Sequence, residues 1–166
     1  MPERKGSRAK AVEGTPAETR ELTFVRLLDS PRELVFSAWT DPHHLAQWWG
    51  PRGFSNPVSE VDMRPGGLIR IVMRGADGVD YPMIATFREI VWPERLVFTA
   101  VVQDKDGNAL LESLTTVTFA SEGDKTKLTV HARATSLAAP GAPMLQGMEA
   151  GWSQTLGRLG DYVLKA

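Results

Sequence analysis

Short segments of alternating polarity, separated by turn residues, recur along residues 54–135 and restrict the fold more than any other feature. Side chains of a strand point alternately to the two faces of a sheet, so each segment is typical of a half-buried β-strand. Gly, Pro, Asp and Asn between the segments favour tight turns. The predicted strands span residues 54–63, 68–74, 81–90, 96–103, 110–120 and 127–135. Because consecutive antiparallel strands tend to be neighbours, we predict a curved antiparallel meander.

Two helix-start signals precede this meander. Ser30, Pro31 and Glu33 fit an N-cap, a first helical position and the acid of a capping box. Asp41, followed by proline, repeats the signal. The predicted elements are a strand over residues 22–28, a helix over 31–39 and a second short helix over 42–48.

A loop over residues 136–143 and one long amphipathic helix over residues 144–164 follow the last strand. Apolar residues recur at intervals of three and four for most of this helix: Met144, Leu145, Met148, Trp152, Leu156, Leu159 and Val163. The order of elements predicts an α+β fold, and the apolar stripe can be buried only against the concave face of the sheet.

Composition narrows the function classes. The 166 residues suit a polar, flexible N-terminal tail over residues 1–19 and a single domain over residues 20–166. Without cysteine, disulfide, thiolate and cysteine–metal chemistry are excluded. A net charge of −1 gives no general attraction to nucleic acid, and no apolar run reaches the length of a membrane span. Three histidines without acids at ligand spacing argue against a metal site, and we expect a cytoplasmic protein without a cofactor.

Strand alternation also predicts a cavity beneath the final helix. Small residues such as Ala85, Ala100 and Ala132 share the inward face with large ones and leave room opposite a glycine-containing helix. Methionine is typical of adaptable apolar sites, although the helix and sheet could instead close completely with methionine filling gaps. The candidate ligand-binding residues are Trp49, Ile69, Ile71, Met73, Met83, Ala85, Phe87, Phe98, Ala100, Val117, Met144, Met148 and Trp152.

The position of Glu89 has two alternative interpretations. Glu89 falls in register with Tyr81, so it is predicted at the inner rim, where the two are candidate catalytic residues. A strand-end glutamate instead often pairs with a nearby arginine, here Arg95.

Trp48 and Trp49 are adjacent, so we expect at most one of them to face the core fully and Trp49 to lie near the mouth of the cavity.

These residues carry a family resemblance. The segments concerned are 29–42 (DSPRELVFSAWTDP), 48–51 (WWGP), Asp62 with 64–67 (RPGG), 89–90 (EI) with 93–99 (PERLVFT), and Gly151, Trp152, Leu156 and Leu159. In this order and spacing they resemble the START-like (SRPBCC) superfamily, and within it proteins related to the C-terminal domain of the activator of the heat-shock-protein-ninety ATPase. The resemblance covers about residues 20–165 and implies a helix-grip fold, a curved antiparallel sheet wrapped around a long C-terminal helix with a cavity between them.

Three functions are consistent with this resemblance, whose members include lipid and polyketide binders, cyclases and the ATPase activator. The favoured hypothesis is a protein that binds an apolar or amphipathic small molecule. The alternatives are a cyclase- or hydrolase-like enzyme that uses Glu89 and Tyr81, and a chaperone-binding module, which is the less favoured partner hypothesis. An exposed strand edge would allow a homodimer without requiring one.

Overall fold

A computed structural model describes residues 18–165. The predicted tail over residues 1–19 therefore lies outside the described residues except for its last two, and Thr19 already begins the first strand. The elements in chain order are β1 (Thr19–Leu28), α1 (Arg32–Thr40), α2 (Pro42–Trp48), β2 (Ser55–Val61), β3 (Leu68–Arg74), β4 (Asp80–Val91), β5 (Arg95–Gln103), β6 (Ala109–Glu122), β7 (Lys125–Ser136), α3 (Gly141–Gln146) and α4 (Met148–Lys165).

The strands form a single antiparallel 7-stranded sheet in the order β1-β7-β6-β5-β4-β3-β2. Strands β2 to β7 pair with their sequence neighbours, as the predicted meander requires, and β1 closes the other side by pairing with β7. Helix α4 lies in the concavity of this curved sheet, where Leu156, Leu159 and Val163 join the core formed by the inward residues of the strands. The α+β helix-grip architecture is thus confirmed.

The C-terminal region differs from its prediction, because two helices replace the single helix expected over residues 144–164. Helix α3 begins at Gly141, inside the predicted loop, and ends at Gln146; the N–H of the following residue, Gly147, donates to the carbonyl of Pro143. Glycine is a weak helix former, so a break in the helix at this position costs little free energy. The spacing of the apolar residues continues through the break, which is why periodicity alone did not reveal it.

The predicted N-cap role of Ser30 is wrong. Pro31 precedes α1 and no side chain caps this helix. Instead the Ser30 hydroxyl donates to the carbonyl of Val163 at 3.0 Å, and the carbonyl of Ser30 accepts from the Thr126 hydroxyl at 2.7 Å. Ser30 therefore connects α4 and β7 with the start of α1. The second signal is confirmed, since the Asp41 carboxylate accepts from two N–H groups at the start of α2.

Among residues 18–165, no helix combines the length and the apolar character needed to cross a membrane.

Candidate functional site

A cavity of about 370 Å³ lies between the sheet and helices α3 and α4. It falls within the range of roughly 300–1,000 Å³ that is usual for small-molecule sites. Its lining residues are Trp49, Gly50, Pro51, Phe54, Met73, Tyr81, Met83, Phe98, Ala100, Val102, Leu111, Ser113, Thr115, Ala134, Met144, Gly147, Met148, Gly151, Trp152 and Thr155. None of these side chains carries a formal charge, and the only side-chain hydroxyls are those of one tyrosine, one serine and two threonines.

Small residues on facing elements leave this space open. Ala100 and Ala134 project from the sheet, while Gly147 and Gly151 lie on the helical side. A Cβ atom at Gly151 would have only Pro51 within ordinary contact distance, at 3.8 Å. The cavity volume therefore results from small residues that face each other on the sheet and on the helices.

Four methionines border the cavity, two from strands and two from the C-terminal helices: Met73, Met83, Met144 and Met148. Methionine is unbranched and its sulfur is polarisable, so its side chain adapts to ligands of different shape. Trp49 and Trp152 add a rigid aromatic wall, with ring centroids 5.8 Å apart and ring planes nearly perpendicular. The wall can thus contact a flat apolar molecule without a fixed polar template.

The structure divides the predicted ligand-binding residues into two groups. Those on the cavity wall are Trp49, Met73, Met83, Phe98, Ala100, Met144, Met148 and Trp152. Those in the packed core away from this wall are Ile69, Ile71, Ala85, Phe87 and Val117. Ile69, Ile71 and Phe87 instead surround a void of only about 10 Å³, together with Trp39 of α1 and Leu45 of α2. Their placement on the cavity wall was wrong because α1 and α2 cover that half of the sheet.

Several wall residues were missed as site residues by the sequence analysis: Gly50, Pro51, Phe54, Val102, Leu111, Ser113, Thr115, Ala134, Gly147, Gly151 and Thr155. Strand alternation carries a signal for Ser113 and Thr115, which share a face with the predicted inward residue Val117. No local signal identifies Gly50, Pro51 and Phe54, because they follow α2 in an irregular loop and reach the cavity only through tertiary packing.

Both adjacent tryptophans are buried, although at most one was expected to face the core fully. Trp48 is 0% and Trp49 8% exposed. Helix α2 ends at Trp48, and the extended backbone of Trp49 lets the second ring turn to the same interior. The Trp48 indole N–H donates to the carbonyl of Ala38 at 3.0 Å, while Trp49 lines the cavity. A change of backbone conformation between the two residues accounts for the double burial.

Arg158 of α4 holds the loop that carries Trp49. Its guanidinium donates to the carbonyls of Trp49 at 3.0 Å, Gly50 at 2.9 Å and Pro51 at 3.1 Å, and to that of Gln47 at 3.4 Å. Burial, and to a lesser extent the charge of Arg52, lowers the pKa of Arg158 from its usual value. The carbonyls of the last turn of α2 and of the loop after it supply partial negative charge to this cation, which has no carboxylate partner among the described residues. Arg158 thereby fixes one edge of the cavity to α4.

Glu89 does not reach the cavity, which corrects its predicted position at the inner rim. The register of β4 shifts between Phe87 and Glu89, so alternation counted from Tyr81 fails at this point. The Glu89 carboxylate accepts from the Arg95 guanidinium at 2.9 Å, the alternative pairing considered from sequence, and its side chain is 47% exposed. Tyr81 does line the cavity, beside Phe54. The structure therefore does not bring the two candidate catalytic residues together at the cavity.

The histidines lie outside the cavity wall. His44 contacts the Tyr162 hydroxyl and so links α2 to α4. His131 lies on the outer face of β7, with its Nε2 atom 2.6 Å from the carboxylate of Glu21. Within the described residues, no group of three or more His, Asp and Glu side chains is placed to hold a metal ion.

The fold and the cavity define the class of protein, a START-like module in which a curved sheet grips a C-terminal helix. Residues 29–163 match the sequence model of a family described as activator of Hsp90 ATPase homolog 1-like protein. Because this match spans most of the chain, the chain belongs to that family. A search of curated proteins found no match.

Solved structures of bacterial proteins share the fold. An uncharacterized protein from Rhizobium leguminosarum is 28% identical, with a TM-score of 0.77 over 91% of this chain and 98% of that chain. A protein from Chromobacterium violaceum is also 28% identical, with a TM-score of 0.73 over 86% of this chain and 96% of its own. A protein from Silicibacter pomeroyi named AHSA1 is 23% identical, with a TM-score of 0.69 over 89% and 100%. At that identity the last likeness concerns the fold alone.

Proposed function

We propose that this protein binds a small, uncharged and mostly apolar molecule in the cavity between the sheet and its C-terminal helices. The observation that carries the proposal is a volume of about 370 Å³ whose lining contains no charged side chain. A core sealed to less than about 100 Å³ would have argued against any ligand, since small-molecule sites typically exceed about 300 Å³.

The chemistry of the wall favours a neutral ligand with an aromatic or otherwise flat body. Transferring an unpaired charge into an apolar site is costly, and here no wall residue could neutralise it. Trp49, Trp152 and Phe98 offer ring faces and edges, and the methionine side chains can adjust around a ligand. Removal of such a ligand from water then supplies most of the affinity.

Filling the cavity from one strand should weaken binding strongly. Ala100 is 6% exposed and projects into the cavity, so Ala100→Phe places a ring in the space that a ligand needs. We expect the affinity for the neutral fluorescent probe phenylnaphthylamine to fall about tenfold or more, a loss of roughly 1.4 kcal/mol of binding free energy. Probe fluorescence titration measures the change.

Thr99→Phe is the matched control, because it adds the same ring to the next residue of β5, which alternation places on the outer face of the sheet. The control should bind the probe as the wild-type protein does. Equal affinities in Ala100→Phe and Thr99→Phe, with both proteins folded, would contradict binding in this cavity. If Ala100→Phe alone weakens binding, native mass spectrometry of protein purified from its own host would identify the natural ligand.

Family membership favours a second candidate function, the binding and activation of a chaperone ATPase. The family description names an activator of the Hsp90 ATPase, and the match extends over residues 29–163. The test measures ATP turnover by the host's ninety-kilodalton chaperone with and without this protein. An increase that saturates with added protein supports activation, whereas unchanged turnover together with no retention of the chaperone in a pull-down rejects it.

A further inference from the structure

Two residues of β6 bring hydroxyl groups to the cavity wall, and neither hydroxyl has a hydrogen-bond partner among the described residues. Ser113 and Thr115 both line the cavity, and neither hydroxyl takes part in a side-chain hydrogen bond in that part of the chain. Thr115 is 1% exposed, so bulk water does not reach it freely. The hydroxyl of Thr155, on the opposite side, already donates to the carbonyl of Gly151 at 2.8 Å. Ser113 and Thr115 are therefore two uncommitted polar groups on the sheet side, in addition to the hydroxyl of Tyr81 on β4.

The neighbouring strands cannot provide the missing partners. Ser113 pairs across the sheet with Ala100 of β5 and Ala134 of β7. Thr115 pairs with Phe98 and Ala132 in the same two strands. None of these four side chains has a donor or an acceptor, so each hydroxyl is flanked by apolar groups. Since no side chain of the described residues bonds to them, a molecule inside the cavity can complete their hydrogen bonds.

From this arrangement we propose that the natural ligand carries two uncharged oxygen functions, such as hydroxyl, carbonyl or ether groups, that bind to Ser113 and Thr115. Residues two apart on a strand are separated by about 6.6 Å, at roughly 3.3 Å per residue, so one rigid molecule can engage both. This inference rests on the proposed function and adds a substrate class to it: a neutral aromatic body with two oxygen functions rather than a plain hydrocarbon.

Desolvation makes the two hydroxyls selective. In the empty cavity water can bond to them, but a hydrocarbon ligand would displace that water and leave both groups without a partner. A ligand with oxygens at matching positions replaces the water and avoids this loss. Each hydroxyl should therefore change the preference between oxygenated and plain ligands by about two- to tenfold.

The test compares three neutral probes with one skeleton: naphthalene, a naphthol and a naphthalenediol with hydroxyls at opposite ends. Displacement of phenylnaphthylamine gives the affinity of each for the wild-type protein and for Ser113→Ala, Thr115→Val and the double variant. The quantity of interest is the ratio of diol to naphthalene affinity, because a general change of the cavity alters both affinities together.

We expect that ratio to fall by about two- to tenfold in each single variant and further in the double variant. Thr115→Ser should restore it, and Thr116→Val, which alternation places on the outer face of the same strand, should leave it unchanged. If naphthalene binds and the ratio is the same in every variant, the two-oxygen inference is overturned while the proposed function stands. If no probe binds the wild-type protein, both are overturned.

Discussion

Replacing Arg158 with methionine is expected to lower the free energy of unfolding by about 3 kcal/mol, because hydrogen bonds to a charged group contribute roughly 1.5–3 kcal/mol and several are lost at once. The guanidinium donates hydrogen bonds to the carbonyls of Trp49, Gly50 and Pro51 over distances of 3.1 Å or less. Methionine keeps much of the aliphatic volume but removes all three bonds and leaves the Gly50 carbonyl without a donor, since only the other two carbonyls accept from a further donor among the described residues. Urea denaturation, analysed with a common slope, measures the difference in stability.

The same substitution should weaken probe binding, because the three residues whose carbonyls lose the hydrogen bond from the guanidinium also line the cavity. Arg158→Lys separates charge from geometry: an ammonium retains the positive charge but cannot reproduce the planar fork of donors, so it should recover less than half of the lost stability. The matched surface control is Arg70→Met, whose exposed pair with Glu60 at 3.4 Å should contribute less than about 1 kcal/mol. Equal stability losses at positions 158 and 70 would refute the positioning role of Arg158.

Local patterns were sufficient to predict the sheet. Turn residues and alternation located the strands of the meander to within a few residues, and Asp41 correctly marked the start of α2. These features depend on neighbours along the chain, since a turn is formed by consecutive residues and alternation follows from the geometry of one strand. Most inward residues of the strands, including Met73 and Met83 on the cavity wall, were accessible for the same reason, and helical periodicity located Met144 and Met148.

The errors arise where distant segments decide the outcome. Alternation places Ile69 and Phe87 on the inner face, but it does not reveal that Trp39 and Leu45 cover them instead of α4. The shifted register after Phe87 turned Glu89 outward to Arg95. Each outcome depends on residues far apart in the sequence or on one extra residue in a strand. Single-sequence patterns do not carry that information.

Arg158 shows the same limit for the site itself. Its side chain reaches carbonyls more than a hundred residues earlier in the chain, and nothing in its local sequence distinguishes it from other arginines on an amphipathic helix. The sequence could therefore predict a cavity wall of apolar side chains but not the contact that positions its edge.

Gly141→Ala is the second substitution with a large expected effect, a loss of about 3 kcal/mol of stability, at the upper end of typical overpacking costs. A Cβ atom at position 141 would lie 1.9 Å from the carbonyl oxygen of Leu110, which already accepts from the N–H of Leu137. That contact is backbone, so it cannot be relieved by a side-chain rotation. The start of α3 must move away from β6, and Met144 on the cavity wall must move with it.

Gly160→Ala is the control that separates this clash from a general effect of replacing a helical glycine. A Cβ atom there would meet Leu28 at 3.6 Å, an ordinary contact. Since alanine is the better helix former, the variant should gain about 0.5–1 kcal/mol. Thermal unfolding of both variants, with phenylnaphthylamine titration of the folded proteins, measures the two effects. If the close approach of α3 to the sheet shapes the cavity, Gly141→Ala weakens probe binding and Gly160→Ala does not. Equal affinities in the two variants would show that this contact stabilises the fold without shaping the site.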